Sequence, residues 1–64
     1  MPDLRSESRA GKLIYLVEDD IHLAEHLTAH LEQHHYEVEV FTELGALPEA
    51  IAHRRPAVCL VDLM

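Results

Sequence analysis

Tryptophan is absent from these 64 residues, cysteine occurs once, glycine twice and proline three times, and five Lys and Arg stand against twelve Asp and Glu. Each shortage removes a class of function. The single Cys59 cannot close an internal disulfide. Set within an apolar run, it reads as a small buried hydrophobe rather than a nucleophile, which fits a reducing, cytoplasmic compartment. Gly11 and Gly45 are too few and too far apart for a glycine-rich phosphate loop, which argues against nucleotide binding. With a net charge of -7 and no basic cluster beyond Arg54-Arg55, the electrostatic footprint of a nucleic-acid binder is missing. No apolar run approaches the ~20 residues that span a bilayer, and Met1 to Gly11 lacks the apolar core of a signal peptide. Nothing points to membrane or export.

What is present is an ordinary globular composition, 48% hydrophobic and 27% charged. A chain this short makes at most one small domain and buries a modest share of its surface, so a partner or further sequence is expected to support it. Residues 1–11, MPDLRSESRAG, mix Pro, Ser, Gly and alternating charges without apolar periodicity and read as a flexible leader. The domain begins at Lys12.

From Lys12 to Val17 the run KLIYLV is too short for a helix and nearly all apolar, as a central strand buried on both faces would be. Asp20 then stands where its side chain can accept from the unpaired N–H groups of a first helical turn, an N-cap. From Ile21 to about His35 a helical period gathers Leu23, Ala24, Leu27 and Leu31 on one stripe, opposite His22, Glu25, His26, Ala29 and Gln33. Tyr36 to Thr42, YEVEVFT, alternates like a strand at a sheet edge, where two exposed glutamates are tolerated. After a loose turn over residues 43–46, a short helix is expected from near Leu47, with Pro48 in its first turn. Arg54 and Arg55 suit the negative end of its dipole, Pro56 stops it, and Ala57 to Val61 is a third strand. The order β-α-β-α-β implies right-handed crossovers and a parallel α/β sheet. Tyr15, Tyr36 and Phe41 are explained by packing.

Two apolar runs turn acidic at their ends: LIYLV into Glu18-Asp19-Asp20, and VCLV into Asp62. If both are parallel strands, Glu18, Asp19 and Asp62 meet at the carboxyl end of the sheet, where α/β folds place ligands. Clustered carboxylates repel unless a proton or a cation joins them, and Mg²⁺, with its preference for oxygen, is the natural cation. Such an ion could hold a phosphoryl group against one carboxylate for in-line attack, giving an aspartyl phosphate. The plain alternative is that the acids are merely solvated, with Asp20 a cap and nothing more.

Leu16-Val17-Glu18-Asp19-Asp20 before a helix, together with Arg55-Pro56-Ala57-Val58-Cys59-Leu60-Val61-Asp62-Leu63-Met64, resembles the first half of a response-regulator receiver domain of bacterial two-component signalling. The resemblance covers Lys12 to Met64, and the interval from Asp19 to Asp62 fits it. It implies a flavodoxin-like parallel sheet flanked by helices, with strand order 2-1-3-4-5, cut here to β-α-β-α-β. It implies that Glu18 and Asp19 are the acidic pair, Asp19 touching Mg²⁺ directly and Glu18 acting largely through metal-bound water. Asp62 would be phosphoacceptor and metal ligand, and the Met64 backbone carbonyl would complete the protein's share of the coordination. The implied function is a phosphorelay receiver that takes a phosphoryl group from the phosphohistidine of a sensor kinase or phosphotransfer protein. It would control an output domain or effector beyond Met64.

Such a receiver is a borderline enzyme, since it catalyses transfer onto its own residue. Ala57 stands where many receivers have Asp. The family's hydroxyl residue on strand four and its Lys on strand five have no counterpart here, so the 64 residues alone are expected to be inactive. In the full fold the third strand is flanked by the first and the fourth. Here its apolar edge would be open, and either a second copy pairs with it, giving a dimer through joined sheets, or the rest of the protein covers it. Two other functions fit the residues: a non-catalytic interaction and assembly module, and a Mg²⁺-dependent phosphohydrolase, which would need a second Asp shortly after Asp62. Finally, His22, His26, His30 and His34 recur every fourth residue. Because such steps drift about 40° around a helix, His22 and His26 should face solvent while His30 and His34 slide toward the apolar stripe. Ordinary surface histidines are the plain reading, and Zn²⁺ or Ni²⁺ between His22 and His26 the alternative.

Overall fold

A computed structural model describes residues 12–62; residues 1–11, expected to be a leader, and residues 63–64 lie outside the described part. The order is β1 (Leu13–Glu18), α1 (Ile21–Gln33), β2 (Glu37–Phe41), a 3-10 turn (Leu44–Ala46), α2 (Leu47–His53) and β3 (Val58–Asp62). The strands form one parallel sheet in the order β2-β1-β3. The α/β class and parallel sheet expected from the sequence are present, with β2 at an edge.

This strand order explains the burial. The first crossover leads from β1 to β2, and the second returns past β1 to β3. Right-handed crossovers running in opposite directions put α1 and α2 on opposite faces of the sheet. The central strand is then covered twice, and all six of its residues are buried. Successive side chains alternate between faces. Tyr15 points toward α2, where its hydroxyl lies against the carbonyl oxygens of Ala50, at 3.0 Å, and Arg54, donating to one at a time. Its ring meets Phe41 edge to face at 5.1 Å, so packing and a polar anchor occupy the same side chain. Burial, helped by the nearby Glu39, pushes the Tyr15 phenol above its ordinary pKa, so it remains a neutral donor.

Helix α1 starts where the cap was expected: Asp20 Oδ1 accepts from the N–H groups of His22, at 3.0 Å, and Leu23, at 3.2 Å. It stops two residues earlier than its periodicity suggests. The N–H of Tyr36 bonds to the carbonyl of Leu31 and that of His35 to the carbonyl of Glu32, the paired bonds of a Schellman ending. His35 takes the left-handed position there, φ 69°, which glycine usually fills.

Several finer expectations need correction. Cys59 is exposed, not buried, because among the described residues β3 has a neighbour on one edge only and little above or below it. Of the α1 stripe only Ala24 is fully buried, while Leu27 and Leu31 are half-buried and Leu23 is 36% exposed, since the helix covers a narrow sheet. His30 and His34 are exposed rather than turned toward that stripe. Arg54 does more than complement a helix end: it forms a paired contact with Glu37 at the start of β2, with Nη1 at 2.8 Å and Nη2 at 3.1 Å. That fork ties the end of α2 to the sheet edge and offsets one of its glutamates. Within residues 43–46, expected as a loose turn, Leu44–Ala46 form a 3-10 turn. Among the described residues no helix is long and apolar enough to cross a membrane.

Candidate functional site: the acidic end of the sheet

Parallel strands bring their carboxyl ends to the same side of the molecule, and the register decides which side chains meet there. Ile14 pairs with Val58 and each later position follows in step, so Glu18 of β1 stands directly beside Asp62 of β3. Neighbours in a parallel register share a face of the sheet. Asp19 follows Glu18 and is exposed. The three acids read from the sequence thus come to one end of the sheet. The fourth expected participant, the Met64 carbonyl, lies outside the described residues.

Glu18 is the unusual member. It continues the apolar strand by one residue and is 1% exposed, so its carboxylate sits where leucine or valine would be ordinary. Oε1 accepts from the backbone N–H of Asp20 at 3.2 Å. Oε2 is buried and has no partner among the described residues. Burial pushes its pKa above the usual carboxylate value, the Asp20 N–H pulls it partly back, and Asp62 and Asp19 push it up again by like-charge repulsion. A hydrogen bond between the Glu18 and Asp62 side chains requires a proton on one of them, because two ionised carboxylates have no donor between them.

An arrangement of this kind has two ways to relieve itself. It can retain a proton, which makes Glu18 a donor to Asp62, or it can take up a cation, which meets the unpaired Oε2 and screens the repulsion. The donor set is all oxygen and anionic, and hard cations such as Mg²⁺ fit it by charge and ligand type. Among the described residues no group of three Asp, Glu, His or Cys side chains is drawn together tightly enough to enclose an ion. A cation held here would therefore keep much of its water, as Mg²⁺ commonly does.

The burial of Glu18 was not legible in the acidic triplet itself. The signal that could have revealed it is the period of the strand: Ile14, Leu16 and Glu18 share a face, so a strand buried on that face carries its third member inward. Neither the Arg54–Glu37 pair nor the Tyr15 anchor has a sequence signature, as both join residues from distant parts of the chain. A comparison with family models, with curated proteins and with solved structures gives no match.

Proposed function

We propose that residues 12–64 are the amino-terminal half of a flavodoxin-like phosphorelay receiver, in which Asp62 accepts a phosphoryl group from a partner's phosphohistidine. The observation that carries this reading is the register that sets Asp62 beside a buried Glu18, one of whose carboxylate oxygens is unpaired among the described residues. In the transfer an Asp62 carboxylate oxygen forms the new P–O bond as the P–N bond to the histidine breaks, and the imidazole leaves with a proton from solvent. Glu18, Asp19, Asp62 and the Met64 carbonyl would hold Mg²⁺, which supplies charge neutralisation between the incoming phosphoryl oxygens and the attacking carboxylate. Glu18 is held through Oε1 by the Asp20 N–H, beside Asp62 in the register. The partners on this reading are a sensor histidine kinase or phosphotransfer protein upstream and an output domain or effector beyond Met64.

A second reading, a non-catalytic assembly module, draws on β3. Every residue of that strand is exposed, including Val58, Leu60 and Val61, and among the described residues one of its edges has no neighbour. An open apolar edge recruits another strand, and a second copy joined through β3 would extend the sheet.

Labelling with acetyl phosphate and Mg²⁺ separates the two, on the protein with whatever chain follows Met64 retained. The receiver reading gives a Mg²⁺-dependent label that D62N abolishes and C59S leaves intact. Absence of any Asp62-dependent label sinks it and leaves the assembly reading.

A further inference from the structure

Of the histidines spaced four apart on α1, the pair in ring contact is His30 and His34: their centroids are 5.1 Å apart and their planes inclined by 62°. Both are exposed, so neither ring is committed to the core. We propose that His30 and His34 form a two-histidine chelate for a borderline divalent cation, Zn²⁺ above all, at the carboxyl end of α1.

The spacing brings both side chains to neighbouring turns of the same helix. Geometry then favours this pair. With Zn–N bonds of ~2.1 Å and near-tetrahedral angles, two imidazoles sharing one ion have centroids ~5 Å apart, the separation these two rings already have. The backbone under the site is fixed as well. His34 is the C-cap residue, its N–H bonds to Leu31 at 3.0 Å, and the two following N–H groups close the Schellman ending. His22 and His26, in the first half of the helix, show no such ring contact among the described residues.

Electrostatics point the same way. The carboxyl end of a helix dipole carries partial negative charge, and the chain as a whole is at -7, so a cation is favoured there. The ligand chemistry distinguishes this site from the acidic end of the sheet: imidazole selects Zn²⁺, Ni²⁺ or Cu²⁺ and carboxylate selects Mg²⁺. Among the described residues no third side chain joins the pair, so water fills the remaining positions. The site is independent of the receiver reading and stands whether or not Asp62 is phosphorylated.

The test is calorimetric titration of the full chain with ZnCl₂ in phosphate-free buffer containing excess Mg²⁺, using wild type, H30Q, H34Q and H22Q. One equivalent of Zn²⁺ binds to wild type. Loss of either ring turns a chelate into a single ligand, so H30Q and H34Q each weaken binding at least about tenfold, while H22Q stays within about twofold of wild type. All three replacements are at exposed positions, and the helical circular dichroism of each variant shows that it folds. Carbon-bound imidazole proton resonances of His30 and His34 shift on Zn²⁺ addition and those of His22 do not. No Zn²⁺ binding, equal weakening by H22Q, or unchanged binding in H30Q and H34Q overturns the proposal. The last outcome places the ion at His22 and His26, at Cys59 or at the carboxylates.

Discussion

Leu16 and Leu60 are register partners on adjacent strands, the same residue type on the same face of one sheet, yet Leu16 is 1% exposed and Leu60 is 39% exposed. Truncating each to alanine turns that difference into a measurement. At Leu16 both the lost transfer energy and the cavity between β1 and α1 count, so the cost is about 2–5 kcal/mol. At Leu60 part of the side chain is already in water and solvent fills the space left behind, so the cost is roughly 1–1.5 kcal/mol. A domain of roughly fifty ordered residues holds only about 3–8 kcal/mol in total, so Leu16→Ala removes most of the stability and Leu60→Ala a minor part. Urea unfolding followed by circular dichroism at low protein concentration reads both from the midpoint and slope. If Leu60→Ala costs as much as Leu16→Ala at every protein concentration, β3 is not the open strand described here. A Leu60→Ala cost that grows with concentration marks pairing of copies through β3.

Other perturbations probe single features. Without divalent cations, Glu18 carries a pKa raised above its unfolded value near 4.5, so its contribution is fully present below that value and lost as pH rises through the folded pKa. Glu18→Gln keeps an acceptor for the Asp20 N–H and removes that loss; the wild-type-minus-variant stability should fall with pH by at most about tenfold in the folding constant per unit, and a flat difference refutes the burial argument. Asp20→Ala leaves the N–H groups of His22 and Leu23 uncapped and should cost about 1 kcal/mol, with Asp20→Asn near wild type; equal losses in the two variants refute the cap. His35→Gly relieves a left-handed backbone position and should stabilise by up to about 1 kcal/mol in a thermal melt, where a lower midpoint contradicts the Schellman account.

Much of this fold is written in local pattern. The unbroken apolar run from Leu13 to Val17 announces a strand covered on two faces, and the alternation through Glu37–Phe41 announces an edge. Asp20 and Pro56 mark a helix start and a helix end. Boundaries proved less legible where chemistry outran pattern. Glu18 belongs to β1 despite its charge, and α1 ends at Gln33 because the Schellman bonds close there and not because the periodicity fades. Burial was least legible for β3, since apolar sequence declares a preference for the interior but does not supply the layers that provide one. VCLV reads as core and lies exposed. The candidate site was legible as three acids at two strand ends, and the register added the direct pairing of Glu18 with Asp62. What sequence could not state is that one oxygen of Glu18 is left without a partner among the described residues, which depends on the placement of every neighbouring donor.

In the proposed receiver, Glu18, Asp19 and Asp62 act as one cation-binding group. Titration of the chain with Mg²⁺, followed through the backbone amide resonances of these residues, tests this most directly. Saturable shifts centred on Glu18, Asp19 and Asp62, abolished in D62N and accompanied by a rise in unfolding midpoint for wild type alone, are the predicted result. Shifts that are absent, linear in Mg²⁺, or unchanged in D62N would contradict it.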